Sequence, residues 1–147
     1  MDTQARQRWM SALAQAAPEE VEAAWRKLAE PPAYRLLRGP ETGLVMVRGR
    51  AGGSGVQFNL GEMTVTRCSV ELDDGRVGHA HVGGRSGRHA ERAAAFDALL
   101  QEPGRRPALD DLVIAPLLAR QETRRAMARS RTVGTRVEFF TMVRGEE

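Results

Sequence analysis

Apolar positions recur along this chain with two periods, and the change from one to the other divides it. Over residues 3–16, Trp9, Met10 and Leu13 fall on one side of a helix. Over residues 18–29, Val21, Ala24, Trp25 and Leu28 make an i, i+3, i+4, i+7 stripe. Pro18 followed by Glu19 and Glu20 is a helix start, because proline fits the first turn and the acids favour the positive end of the dipole. Pro31-Pro32 closes the pair. On such stripes both tryptophans read as core, or as a contact face for a partner.

The period then shortens to two. Residues 34–38 and 44–47 predict strands turned through Gly39-Pro40-Glu41-Thr42-Gly43. Leu44-Val45-Met46-Val47, apolar at consecutive positions, predicts a strand buried on both faces at the centre of a sheet. Residues 56–60 read as another strand, and residues 63–73 and 76–82 as a hairpin across a two-residue Asp74-Gly75 turn. That register sets Leu72 against Val77, Val70 against His79 and Cys68 against His81, which gathers all of them on one face. Ser86 then caps a helix running to about residue 101, with Ala90, Ala93, Ala94, Phe96, Leu99 and Leu100 inward. His89 and Glu91 read as its solvated first turn rather than as an acid-base pair. Glu102-Pro103-Gly104 breaks that helix, Pro107 opens a short apolar segment, and residues 117–129 predict a further helix. Residues 136–144 alternate as a terminal strand with Phe139 on one face and Phe140 and Met142 on the other, so both faces need cover, part of it from another chain.

The expected architecture is a single α+β domain over residues 1–147: a helical pair (1–30), antiparallel strands (33–83), two further helices (86–131) and a terminal strand (136–144). The sheet is mainly antiparallel, with about five or six strands. A chain of 147 residues, 41% hydrophobic and 28% charged, can bury a core without a metal or disulfide. The single Cys68, the absence of an apolar run of membrane length and the lack of a signal-peptide profile at Met1-Asp2-Thr3-Gln4 point to the cytoplasm.

The basic balance is almost all arginine, Lys27 being the one lysine, with a formal charge of +3 and a pI near 9.9. It fits anions, nucleic acid or an acidic protein surface. The run Arg120, Arg124, Arg125 and Arg129 could follow a phosphate backbone, yet no RNA-binding motif accompanies it and aromatics are only 5% of the chain. Gly52-Gly53-Ser54-Gly55, with Arg48 and Arg50 nearby, could cradle an anion. A phosphate loop needs a helix directly after its glycines, and here a strand follows, so a plain turn or a partner contact is favoured. Cys68, His79 and His81 invite a zinc hypothesis, but no fourth ligand is evident, and buried or interfacial histidines are favoured.

Several segments together carry a family resemblance: Glu41-Thr42-Gly43-Leu44-Val45, Gly52-Gly53-Ser54-Gly55, Phe58-Asn59-Leu60-Gly61-Glu62, Thr66-Arg67, Gly84-Arg85 and the stretch Val137-Glu138-Phe139-Phe140-Thr141-Met142-Val143-Arg144-Gly145. In order and spacing the chain resembles the PhnG family, a subunit of the bacterial carbon-phosphorus lyase system for phosphonate breakdown. Ser54 stands where the family usually has Thr, and Ser86 where it usually has Asp. The resemblance implies a core complex with the family's H, I and J subunits. That system places a phosphonate on the ribose of ATP with adenine release, giving a ribose 1-phosphonate 5-triphosphate. Nucleosidase-type chemistry is implied for the I subunit and iron-sulfur radical cleavage for the J subunit. The G subunit is implied to have no independent activity and to bind no cofactor alone, ATP and phosphonate being substrates of the complex. The motif residues then read as interface, or alternatively Arg48, Arg50, Arg67 and Arg85 reach the triphosphate or phosphonate.

Overall fold

The computed structural model describes residues 3–134, and within them the helical pair forms where the pattern places it. Helix α1 spans Thr3–Gln15 and α2 spans Pro18–Arg26. Glu20 accepts a hydrogen bond from the Ala17 N–H at 2.9 Å, which holds the start of α2. Both tryptophans are core. Trp25 meets Tyr34 and Phe96 edge-on, with ring centroids 6.0 and 5.4 Å away.

The sheet corrects the expected strand count. Among the described residues it is three-stranded, in the order β1-β2-β3, and antiparallel throughout: β1 is Tyr34–Arg50, β2 Gln57–Leu72 and β3 Val77–Gly83. Four short predicted strands are two long ones. Gly39-Pro40 does not turn the chain. Arg38 pairs with Ser69 and Glu41 with Arg67, so Gly39 and Pro40 together stand opposite Cys68 in a bulge, where a missing proline N–H is tolerated. Gly61 likewise lies within β2, opposite Val47, and Leu60 is the extra residue of another irregularity, the third in this ladder after those at Leu37 and at Gly39-Pro40.

The register of the β2-β3 hairpin is also corrected, by one residue. The loop is Asp73-Asp74-Gly75, closed by Gly75 N–H to the Leu72 carbonyl and Leu72 N–H to the Arg76 carbonyl, both at 2.9 Å, with Gly75 at φ 83°. The third loop residue shifts every pair, so Glu71 meets Val77, Ser69 meets His79, Cys68 meets Ala80 and Arg67 meets His81. A one-residue slip exchanges faces. Cys68, Val70, Leu72, Gly78, Ala80 and Val82 point into the core, while His79 and His81 are exposed on the open face.

Helix α3, Gly87–Leu100, starts at Ser86, whose Oγ accepts from the His89 N–H at 3.2 Å. It lies under all three strands and is backed by α1 and α2, which is why almost its whole length is buried. Strand β3 crosses it at Gly78, where an added Cβ would stand 1.9 Å from the Ala94 carbonyl oxygen, so only glycine fits that approach. The chain then forms α4, Arg106–Leu109, passes through one π-type turn, Asp110–Ile114, and continues as α5, Ala115–Gly134. The predicted strand over residues 136–144, with Phe139, Phe140, Thr141, Arg144 and Gly145, lies outside the described residues. No helix among the described residues is long and apolar enough to cross a membrane.

Candidate functional site

Among the described residues strand β3 pairs only with residues 65–71 of β2, so β1 and β2 run on beyond it as a two-stranded arm. From the Leu44 and Thr64 pair to the tip the arm is about seven residues long, or about 23 Å. The apolar run at its base is therefore not central, as the sequence predicts, but lies on the sheet's edge strand: Leu44 is 63% and Met46 54% exposed. Pairing places Val45 against Met63 and Gly49 against Phe58 on one face. A Cβ on Gly49 would touch both Phe58 and Leu60 at 3.7 Å, which puts Leu60 on that face too. The arm thus presents Val45, Val47, Phe58, Leu60 and Met63 together.

The described family motif residues run the length of this arm, with Leu44, Val45 and residues 58–62 along it and the others at its two ends. At its root, the Thr66 hydroxyl, fully buried, donates to the Gly84 carbonyl at 2.7 Å and stands 2.9 Å from the Thr42 hydroxyl. Gly84 N–H in turn donates to the Thr64 carbonyl at 2.9 Å. Arg67 donates from Nε and Nη2 to one oxygen of Glu41, at 3.1 and 2.9 Å, and His81 stands opposite Arg67. Glu41, Gly43, Val45, Val65, Arg67 and His81 help to line a shallow groove of about 300 Å³. Three segments far apart in sequence therefore meet where the arm leaves the body.

At the tip, Ala51–Gly53 is a short 3-10 turn with Gly52 at φ 59° and Gly53 at φ 81°. Gly55 N–H donates to the Ala51 carbonyl at 2.9 Å, and a Cβ on Gly55 would fall 2.6 Å from that oxygen. Arg50 donates to the Gly55 carbonyl at 3.1 Å. The glycine loop is thus the turn that closes the arm. Arg48 and Arg50 sit near this tip and Arg67 at the root, with Arg85 just after Gly84, so the arginines form two groups. Among the described residues, Arg48 and Arg85 have no ion-pair or hydrogen-bond partner.

The remaining candidates are placed as follows. Cys68 is buried, its thiol directed at the Arg38 carbonyl, 3.3 Å away, and burial pushes its pKa up. His79 and His81 are on the opposite face. Among the described residues no cluster of three or more His, Cys, Asp or Glu is placed to hold a metal. His89 is not solvated: it is buried, and its Nε2 donates to the Leu13 carbonyl at 2.8 Å. Glu91 accepts from the Tyr34 hydroxyl at 2.5 Å. On α5, Arg120 and Arg124 approach Glu20, Arg125 bonds Gln15, and Arg129 pairs with Glu122.

Sequence reasoning passed over Asp97, fully buried in α3. Its two carboxylate oxygens accept from Arg6 Nε and Nη2, from Trp9 Nε1 and from the His79 N–H. An acid set between Phe96 and Ala98 on an apolar helix was the signal.

An α+β body bearing an apolar arm, with described motif residues along the arm and at its two ends, matches a family described as phosphonate metabolism protein PhnG over residues 4–145. That places the chain among the proteins of phosphonate metabolism. The alpha-D-ribose 1-methylphosphonate 5-triphosphate synthase subunit PhnG of Rhizobium meliloti (strain 1021) is 45% identical over 144 residues, covering 97% of this chain and 90% of the relative. The chain belongs to the PhnG family of subunits of the phosphonate carbon-phosphorus lyase complex.

Proposed function

We propose that the chain is an accessory subunit of the carbon-phosphorus lyase core complex, working beside the family's H, I and J subunits in the cytoplasm. In this role it supports transfer of phosphonate to the ribose of ATP with adenine release. The arm carries the reading. Its apolar face is exposed on a two-stranded ribbon, a form that is marginal in water by itself and gains about 1.5–3 kcal/mol for each large apolar side chain that a partner covers. The motif residues at its root tie β1, β2 and the segment before α3 together, which fixes the direction in which the arm leaves the body.

A second reading is favoured by Arg48 and Arg85, which have no ion-pair or hydrogen-bond partner among the described residues. Arginines left in that state suit the triphosphate or phosphonate of a substrate bound in the complex. Coexpression with the family's H, I and J subunits, size exclusion with light scattering, and an adenine-release assay with ATP and methylphosphonate separate the two. Coelution together with adenine release that requires this chain supports the accessory role. Phe58→Asp with Leu60→Asp is expected to abolish coelution. If Arg48→Ala with Arg85→Ala instead leaves the complex intact and stops adenine release, the arginines belong to the substrate site. A wild-type chain that stays apart from the other subunits sinks both readings.

A further inference from the structure

The C-terminal half of α5 leaves the body at the same end as the arm. Helices α1 and α5 run in the same direction: Arg8 pairs with Asp110, the Gln121 side chain donates to the Ala12 carbonyl at 2.7 Å, and Arg125 reaches Gln15. The end of α1 is also the end of the body from which the arm departs. His89, in the first turn of α3, bonds Leu13, and Gly87 lies against Pro40 of β1 just before the arm's root. Beyond Arg125, nine further residues of helix, about 13 Å, extend past this end.

This extension is exposed at every position over residues 122–132, and Met127 is 59% exposed. Its charge is one-sided: Arg124 and Arg125 bond Glu20 and Gln15 of the body, and beyond them project Arg129, paired with Glu122, and Arg131. Beyond its packed half the helix has no tertiary packing to add to its propensity, so a surface to lie on would stabilise it further. We propose that it is a second prong of the docking device. It seats on an acidic surface bordering the apolar groove that receives the arm, on the same protein subunit. This rests on the reading of the arm given above. The partner's chemistry follows from the pair of prongs: an RNA backbone would satisfy the arginines, but it offers no apolar surface for Val45, Phe58, Leu60 and Met63, whereas a protein cleft rimmed with Asp and Glu satisfies both.

The test is binding of the full chain to a purified complex of the family's H, I and J subunits, with Arg129→Glu and Arg131→Glu introduced together. Among the described residues Arg129 pairs only with Glu122 of its own helix, so the body is expected to keep its circular dichroism and melting temperature. The wild type should bind with an affinity that falls as salt rises from about 0.1 M to about 0.5 M. The double variant should bind about tenfold more weakly at the lower salt and lose most of that salt dependence. Binding within about twofold of wild type at every salt concentration overturns the proposal. So does a variant that binds the subunits normally while losing wild-type affinity for a labelled single-stranded RNA of about 20 nucleotides. Failure of the wild type to bind the subunits at all overturns the arm reading and this proposal together, and is told apart from the other outcomes by the wild-type arm alone.

Discussion

Asp97 is the residue on which most of the body converges. Arg6 Nη2 at 2.6 Å, Arg6 Nε at 3.1 Å, Trp9 Nε1 at 2.9 Å and the His79 N–H at 2.9 Å all donate to it, joining α1, α3 and β3 through one carboxylate. The same bond raises the Arg6 guanidinium above its ordinary pKa. Asp97→Asn keeps the shape but turns one oxygen into an NH2 group facing donors, and it removes the charge opposite Arg6. The expected loss is about 3 kcal/mol in urea unfolding, with little change in the m-value. A loss under about 1 kcal/mol would mean that these bonds are replaceable by water. Asp97 could have been found by asking what an acid does on the inner stripe of a helix, because such a group needs partners from other elements. Which elements supply them is set by long-range packing, and no local pattern encodes it.

At the scale of elements, β1 is fastened to α3 by a polar relay under Trp25. The Tyr34 hydroxyl donates to Glu91 and accepts from Arg92 at 2.9 Å, and the Arg92 guanidinium lies 4.1 Å over the Trp25 ring and reaches Glu22. Burial, then the bond to Glu91, pushes the Tyr34 hydroxyl up to about 12. Because the folded chain holds this proton more tightly than the unfolded one, the contribution is fully present below about pH 10 and is lost as pH rises towards about 12. Tyr34 is only part-buried, so solvent screening reduces it to about 1 kcal/mol. Wild type should therefore lose stability relative to Tyr34→Phe across that window in denaturant titrations, and parallel curves would disprove the relay. Helices were legible element by element, since the 3.6-residue stripe and a Ser or Pro start are local signals. The register of β2 and β3 was not. Asp-Gly reads as a two-residue turn, and whether Asp73 joins the loop is decided by which face of the hairpin meets α3. Gly78, Ala80 and Val82 are small enough to pack there, and the histidines are not.

For the whole molecule, the division into body and arm decides what can be removed. Leu44-Val45-Met46-Val47 reads as the middle of a sheet because its apolar residues ask for cover on both faces, and the pattern alone does not say whose atoms provide it. In the structure α3 meets β1 through Tyr34 and Pro40, before the arm begins, and between Trp25 and Cys68 only the partly buried Leu28 and Tyr34 pack against the core cluster. The arm therefore contributes little to the stability of the body. Met46 and Glu62 already face each other across the ribbon, so replacing residues 47–61 with Asn-Gly closes a two-residue hairpin at that pair. The shortened chain is expected to melt within about 4 °C of wild type, since less than about 1 kcal/mol of body packing is lost. It should also stay monomeric at concentrations where the intact chain, with its long apolar edge strand, self-associates. Thermal unfolding and light scattering over a concentration series read both outcomes. A melting temperature lowered by more than about 10 °C would show that the arm is part of the fold itself, and the apolar face would then need no partner to explain it.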